Sequence, residues 1–164
     1  MTCFWDGILR GLKQFPEFGM QSITRSEFIK HCEKHCDILI DKYKYVLIEG
    51  LEKNTRDVPE NSVKYNLNID GVSEHDIRTH YIPHIKELED ISKIDGYICS
   101  PCDGFLLFLC CYFEMNIHYK TKNWNNTDIQ VCYLYNHPEK GYKNNKALFF
   151  SSTKDHFTYV SYIR

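Results

Sequence analysis

Apolar residues recur at Trp5, Ile8, Leu9, Leu12 and Phe15, the spacing of one helical face. This predicts a helix over 5–15, ended by Pro16, which pushes the residue before it out of the helical region. Thr24-Arg-Ser-Glu27 reads as a capping box. Phe28, Ile29, Cys32 and Cys36 then continue the face of a second helix. A third helix is expected over 41–53, anchored by Tyr45, Ile48 and Leu51. The stretch 54–71, with Pro59 and several asparagines, reads as a loop. Ser73-Glu-His-Asp76 starts another helix, which Pro83 must kink or interrupt. Asp95-Gly96 is a turn signal, and Asp103 caps a mostly apolar helix over 104–114 that must be buried on most sides.

Beyond that helix the period changes. The runs 116–120, 129–135, 147–150 and 156–163 are rich in aromatic and β-branched residues and read as strands, two of them linked through His137-Pro-Glu-Lys-Gly141. Helices come first and strands later, and the first helix must pack on the sheet. The expected architecture is α+β, one domain over 1–164.

Composition narrows the class. The chain has 164 residues and a formal net charge of −2, with 43% hydrophobic and 15% aromatic residues, enough for one buried core and unlike a disordered chain. The apolar run 104–113 is too short to span a bilayer, and the first residues lack a signal-peptide pattern, so no membrane role is expected. Near-neutral charge leaves no electrostatic footprint for nucleic acid, and Lys42, Lys44, Lys140, Lys143 and Lys146 read as solvated surface. Eight cysteines without a secretion signal point to reduced thiols and a cytoplasmic setting. Ala147 is the only alanine while Lys, Asn, Ile and Tyr abound, a bias typical of AT-rich genomes: a large DNA virus (then acting in host cytoplasm), an intracellular bacterium or a parasite.

Cys3 opens the first helix and His156 opens the last strand. A free thiol of pKa about 8.5 is mostly protonated at neutral pH. A neighbouring imidazole takes its proton, and a helix N-terminus stabilises the anion. Such a pair is the core of a cysteine-hydrolase site. On a strand, Thr158 shares the face of His156, where it is able to accept from the imidazole; Asp155 belongs to the other face.

These segments resemble the ovarian-tumour (OTU) family of cysteine proteases, a papain-like fold. Cys3-Phe-Trp-Asp-Gly-Ile-Leu is similar to the family's nucleophile helix. The stretch 95–109 resembles its turn before the central helix, followed by a strand like 115–119. Asp155-His-Phe-Thr-Tyr-Val resembles its terminal strand. The resemblance implies helices packed on a small, mostly antiparallel sheet. It also implies hydrolysis of peptide or isopeptide bonds after ubiquitin or a ubiquitin-like modifier, through a thioester on Cys3, with His156 as base and acid and no cofactor or metal. Two features depart from the family. Only Met1 and Thr2 precede Cys3, where the family carries an Asp-bearing loop that helps form the oxyanion hole; losing one such donor costs about 10²–10³ in rate. Thr158 stands where the family often has Asp or Asn. Both favour a slower enzyme or, as an alternative, an OTU-like module that binds ubiquitin or a host protein without turnover.

The other chemistry is zinc. Cys32 and Cys36, with His31 and His35 on an adjacent helical face, and Cys99-Ser-Pro-Cys102 with zinc-knuckle spacing, would stabilise a small interaction protein. Cys32 and Cys36 also fit the apolar face of Phe28 and Ile29, which reads as buried free thiols. No strand leads into the Cys99–Cys102 pair as a thioredoxin-like motif requires. His75, His80 and His84 approach helical spacing, but Pro83 breaks the face, and they read as surface.

Overall fold

The computed structural model describes residues 3–53, 62–66, 73–87, 103–122, 128–141, 145–153 and 156–164. Helix α1 (Cys3–Leu12) leads through a 3-10 turn (Pro16–Phe18) to α2 (Arg25–His35) and the short α3 (Ile38–Lys42). Strands β1 (Val46–Lys53) and β2 (Ser62–Asn66) follow. Next come three consecutive helical pieces: α4 (Glu74–Asp76), a π-helical turn (Ile77–Tyr81) and α5 (Ile82–Glu87). Helix α6 (Gly104–Phe113) then precedes β3 (Asn116–Lys122), β4 (Asp128–Tyr135), β5 (Ala147–Thr153) and β6 (His156–Ile163).

The strands form one sheet in the order β2-β1-β4-β3-β5-β6. Every pairing is antiparallel except β3 with β5. The domain is α+β, as its periodicity implies. Alternation along the strands turns Ile48, Ile117, Tyr119, Val131, Tyr133, Leu148 and Phe150 into the core, where they join the apolar faces of the helices. The opposite face, with Leu47, His118, Gln130, Cys132, Leu134 and Phe149, is only half-buried.

Helix α6 runs through this core. Every residue but Tyr112 is buried, and the fully buried Asp103 caps it, Oδ1 accepting from the N–H groups of Phe105 (2.8 Å) and Leu106 (3.2 Å). Thr24 caps α2 by accepting from the Glu27 N–H, but its hydroxyl donates to Glu27 Oε1, so the reciprocal arm expected of a capping box is replaced by a side-chain bond. Ser73 and Asp76 make both arms. Pro83 does not break its helix. The wider π turn just before it accommodates a ring that cannot donate and would crowd the carbonyl four residues back.

The helix expected over 41–53 is not formed. Helical structure ends with the 3-10 turn Tyr43–Tyr45, and 46–53 is β1, which pairs with β4 along its whole length. Val46-Leu-Ile carries two β-branched residues, and cross-strand pairing with β4 outweighs the apparent helical spacing of Tyr45, Ile48 and Leu51. Within 54–71, read as a loop, Ser62–Asn66 forms β2. The Asp95-Gly96 turn lies outside the described residues.

Glu114 ends α6 in the left-handed conformation (φ 52°). Its carboxylate accepts from Lys42 Nζ (2.8 Å) and the Tyr135 hydroxyl (3.2 Å), with His137 Nε2 at 3.9 Å. The Lys42 hydrogen bond is the main reason its pKa lies below the ordinary 4.5. Its ionised form is therefore favoured by folding. The stabilisation is present above pH about 4.5 and is lost as pH falls through the lower folded-state value. Thermal unfolding followed from pH 6 to 3 is expected to show a smaller loss of Tm in Glu114→Gln than in the parent, by a few degrees. Glu17, held by Lys146 (2.7 Å) and Arg164 (3.3 Å), has the same sign and accounts for part of the remainder.

Candidate active site

Helix α1 lies across β5 and β6 because it carries two glycines on the face it turns to them. A Cβ at Gly7 would stand 2.9 Å from Phe157 Cδ1, and one at Gly11 would stand 3.0 Å from Leu148 Cδ2. The Gly7–Gly11 spacing, one helical turn, was the signal of this close approach, and apolar periodicity alone passes over it. Phe4 and Trp5 anchor the start of α1. Both are 1% exposed; Phe4 meets Phe157 at 4.8 Å between ring centroids, and Trp5 meets Phe105 edge-on at 4.9 Å.

Cys3 is the first residue of α1 and is half-buried. Its Sγ accepts from the backbone N–H of Phe157 at 3.4 Å. Phe157 directly follows His156, so the thiol and the imidazole are carried by adjoining pieces of backbone although 153 positions separate them in the chain. The helix N-terminus and the Phe157 N–H both point partial positive charge at the sulfur.

The imidazole itself lies differently. Phe157 is buried against α1, whereas His156 and Thr158 are exposed and, by strand alternation, share the opposite face. Among the described residues no hydrogen bond joins the His156 ring to Cys3 or to Thr158. β6 is an edge strand of the sheet, and His156 is its first residue. Asp155 lies outside the described residues.

The described cysteines fall into two groups. Cys32, Cys36, Cys110 and Cys111 are fully buried, and burial raises the thiol pKa values of Cys36, Cys110 and Cys111. Only Cys3 and Cys132 are half-buried. Cys32 and Cys36 therefore pack as core thiols, and among the described residues no cluster of three or more candidate ligands is arranged to hold a metal ion. Cys99 and Cys102 lie outside the described residues. The rings of His31 and His35 lie tilted to each other (4.5 Å between centroids), His31 meets Tyr112 edge-on and His35 meets it at a tilt, and burial lowers the pKa of His31. His75 and His80 are surface residues, but His84 is not: its Nδ1 accepts from the Gly104 N–H at 3.4 Å, at the start of α6. Pro83 does not break this face: the π turn before it keeps the helical run continuous and His84 directed at α6.

Among the described residues no helix is long and apolar enough to cross a membrane. Compared with protein-family models, curated proteins and solved structures, the chain matches none.

Proposed function

We propose that the protein is a cysteine-dependent hydrolase that cleaves peptide or isopeptide bonds after ubiquitin or a ubiquitin-like modifier. The observation that supports it is the approach of Cys3 Sγ to the Phe157 N–H, beside the backbone that bears His156. The modifier itself comes from the resemblance of the Cys3, Asp95 and His156 segments to the OTU family.

In this reading His156 rotates over the sheet rim and takes the Cys3 proton. The thiolate, stabilised by the first turn of α1, attacks the carbonyl carbon of the modifier's last residue. The imidazolium then protonates the leaving amine, giving a thioester on Cys3. Water, deprotonated by the same ring, hydrolyses the thioester and restores the thiol. Thr158 offers a hydroxyl, without charge, to orient the ring.

A second reading, a ubiquitin- or host-protein-binding module without turnover, is favoured by one observation: the resting His156 side chain faces away from α1. Kinetics on a fluorogenic ubiquitin C-terminal amide separate the two. For the enzyme, His156→Ala lowers kcat by about 10²–10⁴, the usual contribution of a general acid–base, with ubiquitin affinity unchanged. Thr158→Ala costs less. Ubiquitin binding without hydrolysis by the parent protein would select the binding module.

A further inference from the structure

The open face of the sheet carries a second cysteine–histidine pair. Cys132 on β4 and His118 on β3 are direct cross-strand partners, with His118 Nδ1 and Cys132 Sγ 3.2 Å apart. The ring is held in place: it stacks on Phe149 of β5, with centroids 4.5 Å apart and planes 8° from parallel. Gln130, two residues before Cys132 on the same face, directs Nε2 at the sulfur from 3.9 Å. Glu49 of β1 is the cross-strand partner of Cys132 on its other side. Both members of the pair are half-buried, so the thiol is reachable, unlike the four core cysteines.

We propose that Cys132 is a modification site, a thiol oxidised by hydroperoxides with His118 taking its proton. A neutral imidazole with its proton on Nε2 accepts the thiol proton at Nδ1. Desolvation of His118, reinforced by the charge of Lys120, lowers its pKa and so keeps the ring a free base. The sulfur attacks one peroxide oxygen, the O–O bond breaks, and the proton held by His118 passes to the departing oxygen. The products are Cys132 sulfenic acid and water or an alcohol. Sulfur is oxidised by two electrons and the peroxide is reduced by two. Acyl transfer does not suit this position. β4 is hydrogen-bonded to β1 on one side and β3 on the other, so ladder bonds engage the amides that an oxyanion would need. Peroxide chemistry requires only a thiol, a base and access.

The test uses the full chain carrying Cys3→Ala, treated with hydrogen peroxide and trapped with a dimedone-type nucleophile, followed by peptide mapping. The trapped adduct is expected mainly on Cys132. In the same background, His118→Phe keeps a ring against Phe149 but has no nitrogen, and is expected to slow trapping about tenfold. His118→Gln is read alongside it, with thermal unfolding of each variant, so that a fold defect in one does not decide the matter. Absence of a Cys132 adduct in the Cys3→Ala protein, or equal rates with and without His118, overturns the proposal. No ubiquitin enters the assay, so its outcome is independent of the hydrolase reading.

Discussion

Cys3→Ala is expected to fold and to hydrolyse a ubiquitin C-terminal amide no faster than solvent does, a loss of at least about 10⁴-fold. A covalent route has no substitute for its nucleophile, and the other described thiols are either fully buried or, for Cys132, on the far face of the sheet. The fold should tolerate the change. What disappears is one hydrogen bond, from the Phe157 N–H to sulfur, worth at most about 1 kcal/mol. That N–H lies on an edge strand, where water replaces the sulfur. The fluorogenic assay, read beside a thermal unfolding curve, checks both halves. Residual hydrolysis in a folded Cys3→Ala protein would move the nucleophile elsewhere.

Trp5→Ala is expected to be the most damaging single change to stability, about 3–5 kcal/mol. Trp5 is 1% exposed and joins α1 to α2 and α6 through edge contacts with Phe28 (6.4 Å) and Phe105 (4.9 Å). Removing the indole opens a cavity between helices, beside the rings of Phe4, Phe28 and Phe105. Folded domains are stable by only about 5–15 kcal/mol, so this is a large share of the total. Because α1 also carries Cys3, the loss should reach the candidate site. Denaturant unfolding measures it directly, as a lower midpoint at unchanged slope. A change below about 1 kcal/mol would mean that α1 is not anchored through this residue.

The contrast between α6 and β1 explains how much of the fold was legible in the chain. Asp103 followed by ten nearly all-apolar residues admits one local solution, a capped buried helix, and that is what forms. The late strands were equally readable, because alternation and β-branched residues agree along them. β1 was not. Tyr45, Ile48 and Leu51 mimic helical spacing over a short run, and the decisive partner, β4, lies some 80 positions away. Short apolar segments of this kind are settled by what they pair with, which is a through-space fact. β2 depends in turn on β1 for its place in the sheet.

The candidate site divides along the same line. Cys3 at a helix start and His156 at a strand start can be read locally, and the resemblance links them. The outward direction of His156 follows from the buried neighbour Phe157, which fixes the parity of β6 against α1. The His118–Cys132 pair was invisible for a related reason. Each is an unremarked polar position on an alternating strand, and only the β3–β4 register brings them together.

The central proposal, that Cys3 attacks a carbonyl at the end of a ubiquitin-type modifier, is tested most directly by covalent capture. Ubiquitin bearing a C-terminal electrophile is mixed with the full chain, and the adduct is mapped by peptide mass. The expected result is a single added ubiquitin, attached to Cys3 and absent from Cys3→Ala. An adduct on another cysteine, or none on a folded protein, would contradict it.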